Sequence, residues 1–168
     1  REYAHILSRL RKGRKTVVGH WQDPKTLERI AVWQRVAAAW ADSQDMRILR
    51  FGDQMNNVAV TDGDKVEAEI RFGFHVDYVP FSEVMTYFEK VEDKDVDELV
   101  AVYFNEYDHA PELEDKNTVE YKKVWNSAKA ELTLRAVLED YGAKAFTSNF
   151  DDLGDVNVEE TGKGFDQI

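Results

Sequence analysis

The sequence contains no cysteine, only three prolines and no apolar run of membrane-spanning length. Without cysteine, a disulfide framework and a thiolate metal site are excluded. No stretch approaches the roughly 20 apolar residues that cross a bilayer, and none has the composition of a signal segment. Basic residues are also in deficit, with 22 Lys and Arg against 33 Asp and Glu and a net charge of −11. We therefore expect neither nucleic acid nor membrane as a partner, and a reducing, cytoplasmic location.

The composition is that of a folded domain. Apolar residues make up 43% of the chain, and four Trp, seven Tyr and nine Phe are too many for a solvated coil. A length of 168 residues suits one compact domain, or one domain with an appendage. The sequence opens without Met in a helix-like segment and ends after a Gly-containing turn, so we expect a piece of a longer protein.

Strand-like and helix-like segments alternate along the chain. Short β-branched or apolar runs predict strands at Thr16–Gly19, Met46–Phe51, His75–Val79 and Ala143–Thr147. Apolar spacings of three and four predict helices at 5–12, 25–42, 62–72, 82–91, 93–107 and 117–141, the last four opened by Asp62, Ser82, Asp93 and Asn117. This alternation predicts an α/β fold: a three-layer, Rossmann-like domain with a mainly parallel sheet flanked by helices.

Large aromatic side chains on two of these helices are candidates for the core. Trp33 and Trp40 lie at helical spacing, which predicts burial in the core or in an interface. Tyr103, Phe104 and Tyr107 share one face of a later helix and are expected in the core.

The segment from 62 to 72 has two competing periodicities. Val66, Ala68 and Ile70 alternate as in a strand, which leaves a hairpin around the TDGD sequence open. A helix ending at Gly73 is favoured, because it completes a strand–helix–strand unit with the following strand.

The loop FGDQM follows the second predicted strand directly. In α/β folds, ligands bind in loops beyond the carboxyl ends of strands, which makes Asp53, Gln54 and Met55 candidate binding residues. Met55 either lines a pocket or fills a local hydrophobic hole. Asp53 as the phosphoacceptor of a receiver-like domain is a weaker hypothesis, because no acidic pair follows the first strand.

Motifs of other enzyme classes are missing from the sequence. There is no HExxH, no G-x-S-x-G, no Walker A and no GxGxxG. His20 and Asp23 in GHWQD supply two metal donors at most, which do not make a site. Adjacent acidic residues such as Asp151 and Asp152 are expected to form a solvated surface.

Three motifs together resemble the L-arabinose isomerases: TVVGHWQD at 16–23, RFGDQMNNVAVTDGDKVEAEIRFGF at 50–74 and KAFTSNFDDL at 144–153. The resemblance implies that residues 1–45 close the family's N-terminal α/β domain and that 46–153 form its central domain. Residues 154–168 would then be an acidic loop leading to the rest of the protein, with 155–164 as an insertion of unassigned role.

The resemblance also implies a chemistry and a division of labour. The longer protein would convert L-arabinose to L-ribulose through an enediol, with Mn²⁺ as cofactor, in a homohexamer. The family's two catalytic glutamates and two metal-binding histidines would lie C-terminal to Ile168, so this fragment would hold no catalytic or metal residue, bind no cofactor and be inactive alone. Its contributions would be subunit contacts and one wall of the sugar pocket, with Met55 lining the pocket and Asp53 and Gln54 beside it. The alternative is a non-catalytic sugar-binding or assembly module of the same fold.

Overall fold

The structure is a computed structural model that describes residues 2–149 of the chain. Its helices are α1 Glu2–Arg9, α2 Pro24–Ser43, α3 Lys65–Phe72, α4 Phe81–Phe88, α5 Asp93–Glu106 and α6 Val119–Asp140. Its strands are β1 Arg47–Phe51, β2 His75–Val79 and β3 Ala145–Ser148. None of the helices within this range is both long and apolar enough to cross a membrane. The predicted acidic loop at 154–168 lies outside the described residues.

The chain divides between Gln44 and Asp45 into two compact units. The first unit contains α1 and α2, and local contacts fix the start of α2. Asp23 is the N-cap, and its carboxylate accepts hydrogen bonds from the Lys25 N–H at 3.2 Å and the Thr26 hydroxyl at 2.9 Å. Pro24 stands at the first helical position, where its missing N–H costs nothing. The helix predicted at 25–42 is therefore confirmed.

The strand predicted at Thr16–Gly19 is wrong. Residues 12–18 have no regular secondary structure. β-Branched residues favour an extended backbone, but a strand is completed only by hydrogen bonds to a neighbour. The described part of the first unit contains no strand that could pair with this segment.

The prediction that Trp33 and Trp40 are core residues of this chain is also wrong. Their exposed fractions are 46% and 54%, and Val36 between them is 52% exposed. An amphipathic stripe specifies which side of a helix seeks a partner, but the partner must come from elsewhere in the structure. The alternative of a buried interface stays a prediction.

The second unit is built on a three-stranded parallel sheet with the order β2-β1-β3. Strand β1 pairs with β2 from Arg47 opposite His75 to Phe51 opposite Val79. It pairs with β3 from Ile48 to Phe51. The predicted α/β fold with helices flanking a parallel sheet is confirmed, and its strand order and connections are Rossmann-like.

The connection that follows β1 and the connection that follows β2 run over opposite faces of the sheet. Parallel strands are joined by right-handed connections, and the chain moves from β1 to β2 and then back past β1 to β3. Helix α3 therefore lies on the side of one face, and the α4–α6 connection covers the other. The α4–α6 face holds the main core, which comprises Leu49, Phe51, Val79, Val84, Phe88, Ala130 and Val137. Each large side chain in it contributes about 1.5–3 kcal/mol of burial free energy.

Several helix boundaries differ from the predicted ones by a few residues. The segment from 62 to 72 is helical, as favoured over the hairpin, but its N-cap is Asp64, whose carboxylate accepts from the Glu67 N–H at 2.8 Å. Asp62 instead ends a 3₁₀ turn, Ala59–Thr61. Where several side-chain oxygens that could cap a helix lie close together in sequence, the tertiary packing decides which one does so.

Two further predicted caps are displaced in the same way. Thr118, not Asn117, caps α6, because its hydroxyl accepts from the Tyr121 N–H at 3.2 Å. Helix α4 begins at Phe81 after Pro80, one residue ahead of the predicted start at Ser82, and ends at Phe88 rather than Val91. Gly73 ends α3 in the left-handed conformation, φ +80°, as predicted.

A second core cluster lies between α5 and α6. Its buried members are Val96, Val100, Tyr121 and Ala128, and partly buried residues including Tyr103 and Phe104 pack against them. Tyr107 is 65% exposed, so its predicted core position is wrong. It follows the last residue of α5, where the helical spacing no longer fixes its direction.

Tyrosine hydroxyls tie α6 to its two neighbouring helices. Tyr87 of α4 donates to Asp140, and Tyr141 donates to Glu83 of α4, both at 2.5 Å. Tyr103 of α5 donates to Glu131 of α6. The hydrogen bond to the Asp140 carboxylate raises the pKa of Tyr87 to about 12. These bonds join α6 and the residue that follows it to α4 and α5.

We expect Gly19→Ala to destabilise the first unit. A Cβ at Gly19 would lie 1.9 Å from the Thr26 Oγ1, and Thr26 is buried and hydrogen-bonded to the Asp23 cap. Overpacking of this kind costs about 1–3 kcal/mol. Amide hydrogen exchange in the first turns of α2 measures the effect. Gly13→Ala is the matched control, since a Cβ there meets nothing within 4 Å, and equal exchange in the two variants would contradict the prediction.

We expect the His109 contact to stabilise the protein more at low pH than at high pH. Its ring nitrogens lie 2.9 Å from the Tyr107 carbonyl oxygen and 2.8 Å from the Glu114 carboxylate, and only the imidazolium donates to both. The bond to the Tyr107 carbonyl, followed by that to Glu114, raises the pKa of His109. The stabilisation is complete below the ordinary value of about 6.5 and is lost as the pH rises through the raised value.

The measurement is the free energy of unfolding of the natural chain and of His109→Gln, by urea titration at about pH 6 and about pH 8.5. The difference between the two proteins should be larger at the lower pH. A difference that is the same at both values would show that the protonation of His109 is not coupled to folding.

Candidate functional site

The FGDQM loop leaves β1 at the carboxyl edge of the sheet. Gly52 adopts φ +75°, a conformation that favours glycine, and its N–H donates to the Val79 carbonyl at 3.0 Å. Gly52, the residue that follows β1, is thereby fixed to the end of β2. Because β1 connects to α3 on one face and β2 to α4 on the other, the loop begins at a topological switch point of the sheet. Ligands of open α/β sheets bind at such points.

Asp53 organises the loop through its side chain. Its Oδ1 accepts from the Arg50 guanidinium at 2.8 Å and from the Gln54 N–H at 2.9 Å. Asp53 is exposed, whereas three quarters of the Arg50 side chain is covered. Arg50 offsets the aspartate's charge, so the pair positions the backbone ahead of Met55.

The Met55 backbone is held by a single threonine. The Met55 N–H donates to the Thr61 Oγ1 at 3.0 Å, and the Thr61 hydroxyl lies 2.7 Å from the Val58 carbonyl, to which it donates. The Val58 N–H closes the turn by donating to the Met55 carbonyl at 3.1 Å. The segment from 55 to 61 is therefore a compact loop with internal hydrogen bonds, and Met55 stands at a fixed place on it.

A residue from the next strand along the edge joins the loop. Asn149 follows β3, and its side-chain amide donates to the Asp53 carbonyl. The two residues are 96 positions apart in sequence, and the parallel pairing of β1 with β3 brings them together. Sequence reasoning assigned no role to Arg50, Thr61 or Asn149. Only Asn149 carried a usable signal, since it too follows a predicted strand.

The three predicted binding residues lie side by side at this edge. Met55 and Gln54 are half-buried and Asp53 is exposed. A half-buried thioether beside amide and carboxylate groups can contact the apolar side of a polyol while the neighbours meet its hydroxyls. A half-buried thioether also suits a hydrophobic plug, the alternative role predicted for Met55.

The described residues do not form a metal centre. Nowhere in 2–149 do three His, Asp or Glu side chains come together in a set that could hold an ion. The Asp23 carboxylate is engaged at the N-terminus of α2, and His20 Nδ1 accepts from the Gln22 N–H at 3.3 Å. These donors therefore do not fit Mn²⁺, and no reaction step through a metal follows from them.

Comparison with known families identifies the two units by sequence. The model of the L-arabinose isomerase N-terminal domain matches residues 1–45, and that of the central domain matches 47–159. The chain belongs to the L-arabinose isomerase family. The resemblance inferred from the three motifs is thereby confirmed.

Individual members of the L-arabinose isomerase family match the chain over most or all of its length. The L-arabinose isomerases of Phocaeicola vulgatus and Bacteroides thetaiotaomicron are each 64% identical to it over 168 residues, which is 100% of this chain and 32% of each relative. That of Flavobacterium johnsoniae is 46% identical over 154 residues, 92% of this chain and 30% of the relative. The chain thus spans about a third of the length of the curated relatives it matches.

We expect Thr61→Val to loosen the loop around Met55 without unfolding the domain. The substitution removes the acceptor of the Met55 N–H and the donor to the Val58 carbonyl, at a cost of about 1 kcal/mol for each bond. Amide exchange at Met55 should accelerate by about fivefold or more. Thr86→Val is the matched control, because that hydroxyl bonds only within a helix, to the Glu83 carbonyl. Unchanged exchange at Met55 would contradict the prediction.

Proposed function

We propose that the protein to which this chain corresponds is an enzyme that interconverts L-arabinose and L-ribulose. The observation that carries the proposal is the identity of 64% over the whole chain to two proteins named L-arabinose isomerase. Isomerisation proceeds through an enediol, in which a proton moves between C1 and C2 of the sugar. The proposal assigns this proton transfer, and the Mn²⁺ that supports it, to the remaining length of the relatives. It assigns no catalytic or metal residue to the described part of this chain.

Within this function the chain supplies structure around the sugar. Met55 lines the sugar pocket, and Gln54 and Asp53 lie beside it and meet hydroxyl groups. The fixed backbone of the 55–61 loop and its place at the switch point support this role.

The proposal extends to domain boundaries and assembly. Residues 1–45 close the N-terminal domain, 46–153 form the central domain, and 154–168 lead to the rest of the protein. The family matches and the division at Gln44 support the limit at 45, and the central-domain match runs to residue 159. The whole protein would be a cytoplasmic homohexamer. The exposed side chains of Trp33 and Trp40 support an interface on α2. The lack of cysteine supports a reducing compartment.

The proposal is tested by assaying ketose formation from L-arabinose with the full-length protein, with and without Mn²⁺. This 168-residue chain is assayed in parallel. We expect activity in the full-length protein only, lost when the metal is removed and restored by Mn²⁺. A folded, metal-loaded full-length protein without activity would refute the isomerase and favour a non-catalytic sugar-binding or assembly module. Activity in the short chain would refute the placement of the catalytic groups.

We expect Met55→Ala in the full-length enzyme to raise KM for L-arabinose about fivefold, with a smaller change in kcat. Loss of a partly buried thioether contact costs about 1 kcal/mol of uniform binding. The control is Met46→Ala, the same change in a half-buried methionine just before the opposite, amino end of β1. A KM unchanged by Met55→Ala would leave Met55 as a hydrophobic plug.

A further inference from the structure

A concave surface away from the sheet edge lies between α5, α6 and the segment that leads into α6. Its volume is about 490 Å³, within the range of small-ligand sites. This α5–α6 cleft is lined by Asp97, Lys116, Tyr121, Lys122, Trp125 and Asn126. A smaller cavity of about 180 Å³ adjoins it and shares Asp97, Lys116 and Tyr121.

The two aromatic rings of the cleft are held in place by the fold. Tyr121 is 7% exposed and belongs to the core cluster with Val96 and Val100. The indole N–H of Trp125 donates to the Asp97 Oδ1 at 3.1 Å, which joins α6 to α5. A ligand that contacts these rings would not have to order them first, so little conformational entropy would be lost.

The charged groups of the cleft favour an anion. No acidic group within the described residues lies within ion-pair distance of the Lys116 or Lys122 ammonium, and that of Lys116 lies 5.7 Å from the centre of the Tyr121 ring. The lining of the cleft itself contains two lysines and one carboxylate, that of Asp97, on a chain whose net charge is −11, and Glu114 of the adjoining cavity is engaged by His109 at 2.8 Å. An anion would be repelled by most of this surface and attracted here.

The rim of the cleft is held by a separate set of contacts. His109 contacts Glu114 at 2.8 Å and packs on Phe104, with ring centres 4.5 Å apart. Glu114 and Lys116 both line the adjoining cavity. The His109 contact therefore positions the short segment that brings Lys116 to the cleft.

We propose that the α5–α6 cleft binds a small sugar phosphate. Lys116 and Lys122 donate charge-assisted hydrogen bonds to the phosphate. The Trp125 ring, set beside the largely buried Tyr121, contacts the C–H face of the sugar, and Asp97 and Asn126 meet its hydroxyls. Inorganic phosphate lacks the contact with the rings, and a neutral sugar lacks the charge. This site is separate from the loop at Met55 and does not depend on the isomerase activity.

The test follows the indole N–H signals of the ¹⁵N-labelled 168-residue chain during titration with D-glucose 6-phosphate up to about 10 mM. The chain has four Trp residues, and Trp125→Phe identifies the signal of Trp125. We expect this signal to shift with saturation. D-glucose and inorganic phosphate, titrated separately, should each bind at least about tenfold more weakly. No shift at Trp125, or equal affinity for inorganic phosphate, would overturn the proposal.

Variants separate the cleft from the general effect of charge. Lys116→Gln with Lys122→Gln should weaken binding of D-glucose 6-phosphate about tenfold or more. The matched control is Lys65→Gln with Lys123→Gln, which removes the same charge from exposed positions outside the cleft lining and should change affinity less than about twofold. Both pairs lie on exposed positions, so the chains should fold, and retained indole signals verify this. Equal losses in the two double variants would overturn the proposal.

Discussion

The pairing of β1 with strands on both sides is the constraint on which the second unit depends. Strand β1 is the only one of the three that is hydrogen-bonded along both edges, and Leu49 and Phe51 on it are almost fully buried. A parallel sheet requires long crossovers, and their right-handedness places α3 on one face and the α4–α6 connection on the other. The position of the FGDQM loop follows from this arrangement, because it leaves the central strand where the two crossovers diverge.

The candidate site is made of groups that hold the loop backbone and of groups that the loop carries at the sheet edge. Thr61, Arg50 and Asn149 hold the loop, and Met55 and Gln54 are what the held loop presents. Separating these roles accounts for the odd composition of the stretch, in which a methionine stands among acids and amides. The polar residues satisfy the loop's own hydrogen bonds, and this keeps one apolar side chain half-buried at the sheet edge.

Helix α6 connects the sheet, whose carboxyl edge carries the candidate site, with the α5–α6 cleft. One part of α6 packs against the sheet, because Ala130 and Val137 share a core cluster with Leu49 and Phe51 of β1. An earlier part supplies Tyr121 and Trp125 to the α5–α6 cleft. Tyrosine–carboxylate bonds to α4 and α5 hold the helix between them, so both regions depend on a single 22-residue element.

The sequence by itself determined the features that depend on neighbouring residues. These include the Asp23 cap with Pro24, the left-handed end of α3 at Gly73, the alternation that predicts an α/β fold, and the motifs of the L-arabinose isomerase family. Local periodicity left a helix and a hairpin open at 62–72, and the alternation of strands and helices along the chain favoured the helix. The same local signals failed at Thr16–Gly19, because an extended segment becomes a strand only when a partner is present.

The tertiary structure alone decided which distant groups meet. Asn149 reaches Asp53 across 96 residues, and Trp125 reaches Asp97 across 28, through strand order and helix packing that no local pattern encodes. It also decided that Trp33 and Trp40 of α2 are about half exposed, and that two lysines share one cleft with two aromatic rings. The reason is physical: propensity and periodicity act over one or two turns of chain, whereas burial and long-range hydrogen bonds depend on the path of the whole backbone.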